Sequence, residues 1–148
     1  MGRSDGQCKL ESFSSSNSTF NDLEDMYTDT QALSPMYQPN LIPTTMDVTS
    51  DESVTACIAK VSKDNDGRPV DIVINNAGYG IAGYLESVHI NEAKDVFDVN
   101  VWGAVRVLQA VLPGMRKKGG GYVINISSTS GIRGIPCYEF YTGKHKWA

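Results

Sequence analysis

Asp47, Asn76, Ser128 and Tyr141 each fall at, or just after, the end of a stretch that reads as a strand covered by apolar neighbours. In a parallel sheet, ligands bind beyond the carboxyl ends of the strands, where loops leave backbone groups unpaired. A phenol and an alcohol placed there can hydrogen-bond to, and exchange a proton with, an oxygen-bearing ligand. Taken singly, each position has a plainer explanation. The Asn75-Asn76-Ala77-Gly78 run reads as a turn, Ser127-Ser128 as a loop or cap, and Tyr141 as a packed aromatic near a helix start. Occurring together, in this order and at this spacing, they are a poor fit to coincidence.

The elements that must carry these residues follow from the apolar pattern. Leu41 to Met46 reads as a short strand ending at Asp47-Val48. Thr49 or Ser50 is placed to cap a helix starting near Asp51, with Asp51 and Glu52 at the positive end of its dipole. That helix, to about Lys63, sets Val54, Cys57, Ile58 and Val61 on one face. Asp64 to Pro69 supplies a turn. Val70 to Ile74, apolar except for Asp71, then reads as a strand covered on both faces. Asn91 to Lys117 is the longest helical stretch, with Ala104, Val105, Leu108, Val111, Leu112 and Met115 at helical spacing, and Gly119 to Gly121 stops it. Tyr122 to Ile126 is a second buried-type strand, Ser127 to Pro136 a loop of small residues, and Tyr138 onward a helix. Strand and helix alternate, so the fold class is α/β.

Composition narrows the function classes. The 148 residues are 41% apolar and 20% charged, which suits one globular domain. A net charge of −4, with no basic stripe, argues against binding nucleic acid. The basic run Arg116-Lys117-Lys118 is better placed at a helix end. Three widely spaced cysteines form no Cys-x-x-Cys pair and no histidines cluster, so neither a disulfide framework nor a metal site is expected, and a cytoplasmic setting fits. No transmembrane segment or targeting signal is evident. Residues 1–39, with a serine-rich run from Ser12 to Thr19 and an acidic stretch after it, are expected to be a low-complexity, disordered segment, and 40–148 the folded part.

From Leu41 to Thr142 the chain resembles the classical short-chain dehydrogenases/reductases. The likeness rests on Asp47-Val48 after a strand, Asn75-Asn76-Ala77-Gly78, the run Asp98 to Gly103, Ile126-Ser127-Ser128 and Tyr141. Gly83 to Glu86, Gly103 to Met115 and Gly131 to Tyr141 are most similar to the branch holding 17-beta-hydroxysteroid dehydrogenase type 1 and photoreceptor-type retinol dehydrogenases. The resemblance implies a nicotinamide cofactor, NAD or NADP. Asp47 and Val48 would stand at its adenine, and Asn76, Ala77 and Gly78 at the adenine-side ribose, where glycine leaves room for close approach. It implies that Asn100 holds a water in a proton relay, that Ser128 hydrogen-bonds a substrate carbonyl, and that Tyr141 passes the proton as hydride moves. The substrate would be a small lipophilic alcohol or carbonyl compound such as a steroid or retinoid.

Two features depart from the family's pattern. A phenol, with an ordinary pKa near 10, works at neutral pH only if a nearby cation pulls it down. The family places a lysine four residues after the tyrosine, and His145 stands there, flanked by Lys144 and Lys146. The glycine-rich phosphate turn has no counterpart in residues 1–40, so cofactor binding is expected to be impaired. The resemblance further implies an incomplete Rossmann-like, doubly wound parallel sheet of about three strands, the family's third, fourth and fifth. Residues 40–148 would then be a partial dinucleotide-binding domain, in which Leu41 to Met46 either slides beside Val70 to Ile74 or stays unpaired, sliding being favoured. Both connecting helices would lie on one face of the sheet and leave the other bare. Two functions follow: an oxidoreductase of the family type, or a catalytically inactive truncated fragment that at most forms a homo- or hetero-oligomer with a related dehydrogenase.

Overall fold

The structure, a computed structural model, describes residues 44–145, with side chains to residue 143. Helix α1 (Asp51–Asp64) opens where expected: the Ser50 hydroxyl accepts the Ser53 N–H at 3.2 Å, satisfying one of the donors a helix start leaves unpaired. Its inward stripe is Val54, Cys57 and Val61, with Ile58 packed against the same core. The helix ends at Asn65, and the chain turns through Asp66 and Gly67, both at positive φ.

Strand β1 (Ile72–Asn75) pairs in parallel with β2 (Tyr122–Asn125), and Ile72 registers with Tyr122 and Asn75 with Asn125. An amide bond of 2.8 Å from Asn75 Nδ2 to Asn125 Oδ1 ties their carboxyl ends. Among the described residues the sheet has these two strands. The strand expected over Leu41 to Met46 begins outside the described residues, as does the whole 1–39 segment. Its described part, Thr44 to Met46, joins no strand, so the favoured slide into the sheet is not seen there. Met46 and Val48 are instead buried in the core that includes Val73 of β1.

Between the strands runs one long helical rod in three parts: α2 (Ile90–Phe97), a π-helical segment (Asp98–Gly103) and α3 (Ala104–Lys118). Its stop is a left-handed Gly119 (φ 99°), whose N–H bonds back to the carbonyls of Arg116 and Met115, with the three basic residues 116–118 at the negative end of the dipole. The α3 stripe facing the core is Val107, Val111 and Met115, flanked by Leu108 and Leu112. This corrects the expected stripe at one position: Val105 points outward, 37% exposed, and Val107 takes its place inside. The core is therefore a sandwich of α1 and α3 against one face of β1, built largely of valine.

Parallel pairing fixes which side chains share the opposite face. Ile72 and Ile74 stand beside Tyr122 and Ile124, and all four are 40% exposed or more. The bare face is thus present as expected. Strand β2, expected to be buried, is exposed along its whole length, because α3 packs over β1 more than over β2 and nothing described covers the other side.

Candidate active site

Three segments meet beyond the carboxyl ends of β1 and β2: the loop after β1, the turn after β2, and the short helix α4 (Glu139–His145). After β2, Ser128 caps a single 3-10 turn (Thr129–Gly131), its hydroxyl accepting the Ser130 N–H at 3.2 Å and lying 3.2 Å from the Ser130 hydroxyl. Ser130 is buried while Ser128 is half-buried, so the capping bond holds the Ser128 side chain at the mouth of a groove lined by Ser127, Thr129 and Ile132. Helix α4 packs against that turn and against α2, which puts Tyr141 on the same rim as Ser128. The Tyr141 ring meets Tyr138 edge-on, with centroids 6.2 Å apart and planes at 74°. A bond from Gly83 N–H to Cys137 C=O, 2.9 Å, joins the loop after β1 to the approach to α4.

Asn100 lies in the π segment, whose wide turn aims its amide away from the helix axis. Its Oδ1 accepts the Tyr79 N–H at 2.9 Å and its Nδ2 donates to the Tyr79 carbonyl at 2.6 Å. One side chain thereby fixes both peptides around Tyr79, directly after Asn76-Ala77-Gly78. The structure gives Asn100 a framing contact with this loop.

On the other side of β1, Val48 is buried and lines a cavity with Met46, Ile74, Asn76, Ala77 and Gly103. The Asp47 carboxylate accepts from Thr49 N–H (2.9 Å) and Thr49 hydroxyl (2.7 Å), which folds the 47–49 loop into a tight turn. Two residues that the sequence did not single out hold this turn. A Cβ on Gly103 would come within 2.8 Å of the Val48 side chain, so only glycine lets the rod approach there. Arg106 donates to the Val48 carbonyl at 3.2 Å and to Asp98 Oδ1 at 2.7 Å, and its Nε lies 3.2 Å from Asp51. An arginine one turn into a helix gives no local signal of such a long-range role.

Val48, Asn76 and Ala77 therefore share one cavity, with Asp47 and Gly78 their chain neighbours, while the turn holding Ser128 packs against the helix holding Tyr141 and Asn100 frames the loop after β1. His145 ends α4, and its side chain lies outside the described residues, as does that of Lys144. Among the described residues no group of three His, Cys, Asp or Glu could hold a metal ion, and no helix is long and apolar enough to cross a membrane.

A parallel α/β sheet with polar residues at its carboxyl edge defines a Rossmann-like fold. The chain belongs to the short-chain dehydrogenase family, whose model matches residues 14–146. Human retinol dehydrogenase 8 is 41% identical over 96 residues, covering 65% of this chain and 29% of that protein. Rat estradiol 17-beta-dehydrogenase 1 is 43% identical over 96 residues, covering 65% of this chain and 27% of that protein. The solved structure of ElxO with NADP bound superposes at a TM-score of 0.75 with 26% identity, covering 84% of this chain and 50% of that one. The chain thus spans less than a third of the length of the two enzymes.

Proposed function

We propose that this chain carries the hydroxyl/carbonyl site of an NAD(P)-dependent oxidoreductase acting on a lipophilic substrate of the steroid or retinoid kind. The observation that carries the reading is the meeting of the Ser128 turn and the Tyr141 helix at one rim of the sheet. The names of the relatives, a retinol and an estradiol dehydrogenase, favour that substrate class. Ser128, held by its own cap, donates a hydrogen bond to the substrate oxygen. Tyr141 gives that oxygen its proton in reduction and takes it in oxidation, and Asn100 keeps the loop between them in place.

The residues suited to the adenine end of a dinucleotide are present: Val48 lines a small cavity, and the exposed Gly78 follows two of its other lining residues, Asn76 and Ala77, in the chain. Asp47, Asn76 and Ala77 would complete that end, and the nicotinamide, when bound, supplies or accepts the hydride. Turnover of estradiol or retinal with NADH or NADPH tests the reading, with a drop of about 10²- to 10⁴-fold on Tyr141→Phe and a loss on Ser128→Ala. Absence of turnover in the unsubstituted chain would overturn it.

A second reading is favoured by the bare apolar face of the sheet and by His145 in place of lysine. In it the chain is catalytically silent and pairs with a related dehydrogenase. Turnover separates the two, and fluorescence titration with NADH and NADPH tells a silent chain that has lost the cofactor from one that binds it without chemistry.

A further inference from the structure

We infer that Gly80 is a positioning residue for Tyr141: the absence of a side chain at 80 sets where the phenol ring stands. The inference rests on the proposed role of Tyr141. Gly80 is one of three glycines within eight residues after β1, and nothing in its backbone demands glycine, since it is not among the residues at positive φ. Its neighbour does. A Cβ at 80 would lie 2.7 Å from Tyr141 Cδ2, 3.0 Å from Cγ and 3.3 Å from Cε2. Because Cγ is among these atoms, rotating the ring about its own axis brings no relief, and the whole side chain, or α4 with it, would have to move.

Neither partner yields easily. The peptides on both sides of Tyr79 are held by the two Asn100 bonds, so Gly80 is tethered on its N-terminal side to the π segment. Helix α4 is packed against the 3-10 turn and α2, and Tyr138 bounds the ring edge-on. A physical chain therefore runs from the wide turn at Asn100, through the Tyr79 peptides, to the bare α-carbon on which the phenol rests. Displacement of a reacting group by an ångström costs on the order of 100-fold in rate, so this contact bears on turnover more than on substrate affinity.

The test uses the full chain with ¹³C-labelled tyrosine, the Tyr141 ring signal being the one lost in Tyr141→Phe. Gly80→Ala is expected to shift that signal and to lower kcat about 10- to 100-fold with KM little changed. Gly134→Ala, where nothing lies within 4 Å of the added methyl, is expected to alter neither. A Tyr141 signal unmoved by Gly80→Ala overturns the inference. Absence of turnover in the unsubstituted chain defeats the proposed function alone, because the ring signal still reports the contact. Should Gly80→Ala fail to fold, adding Tyr141→Ala removes the clash: recovery of folding upholds the inference, and continued failure overturns it.

Discussion

The two faces of the β1–β2 sheet share one backbone and one register yet live in different surroundings. On the inner face Val73 is 2% exposed among Val54, Val107 and Met115, while on the outer face Ile72 and Ile74 are each about 40% exposed and Tyr122 72%. Each side of the contrast follows from the connections: the described helices flanking β1 contribute their apolar stripes to the inner face only. Apolar surface left in water forgoes about 25 cal/mol per Å². The lesson is that packing among the described residues is one-sided, with stability concentrated in a valine-rich seam and exposed apolar surface on the reverse.

Mutations that distinguish the two faces should differ most in their cost. Met115→Ala, emptying a buried site that also presses on Gly121, should lower stability by about 2–5 kcal/mol. Ile124→Ala, on the open face, should change it by less than about 1 kcal/mol. Paired urea titrations check both, and equal losses would abolish the contrast. Next in size, Arg106→Met removes the guanidinium that ties the Val48 carbonyl and Asp98 to α3, and should cost about 1–3 kcal/mol. Retained stability there would mean that Gly103 packing and the Asp47–Thr49 bonds hold the 47–49 turn without the guanidinium.

Charging the open face sharpens the comparison from the other side. Ile72→Lys with Ile124→Lys should reduce self-association, seen as a fall in the sedimenting fraction, while stability moves by less than about 1 kcal/mol. A cooperative monomeric melt of the unsubstituted chain at high concentration would instead show that the face is no liability. The smallest effect concerns pH. Its own backbone N–H, and then the Ser50 hydroxyl, hold the Glu52 carboxyl below the ordinary value of 4.5. A depressed folded value means that the carboxylate stabilises α1 above the ordinary value, and that this help is lost as pH falls through the lowered one. Glu52→Gln should flatten that part of the acid limb, measured as the urea midpoint between neutral pH and about pH 3.5.

Much of the fold was legible because its signals are local. The Ser50 cap, the Val54–Cys57–Val61 stripe and both strand positions needed only periodicity and turn chemistry. The α3 stripe was harder: Ala104, Val105, Val107, Leu108, Ala110, Val111 and Leu112 are all apolar, so spacing alone does not say which side faces inward. Packing against α1 and β1 makes that choice in favour of Val107. At the carboxyl edge, the turn holding Ser128 was legible from its place after a strand, whereas Tyr141 stood out only through its order and spacing with the rest of the family pattern. Gly80 and Arg106 were not legible, because each matters through a partner 61 or 58 residues away in sequence.

The π segment acts as a phase shifter. Asp98 to Gly103 absorbs an extra residue in one wide turn, so α2 and α3 can each keep their seats. Deleting a residue from the regular turns of α2, which have no such slack, would instead turn everything downstream through about 100°. The Val107–Val111–Met115 stripe would then swing off its seat on α1, and the Asn100 amide would lose its grip on Tyr79. Sequence changes in this stretch are therefore governed by length before they are governed by residue type.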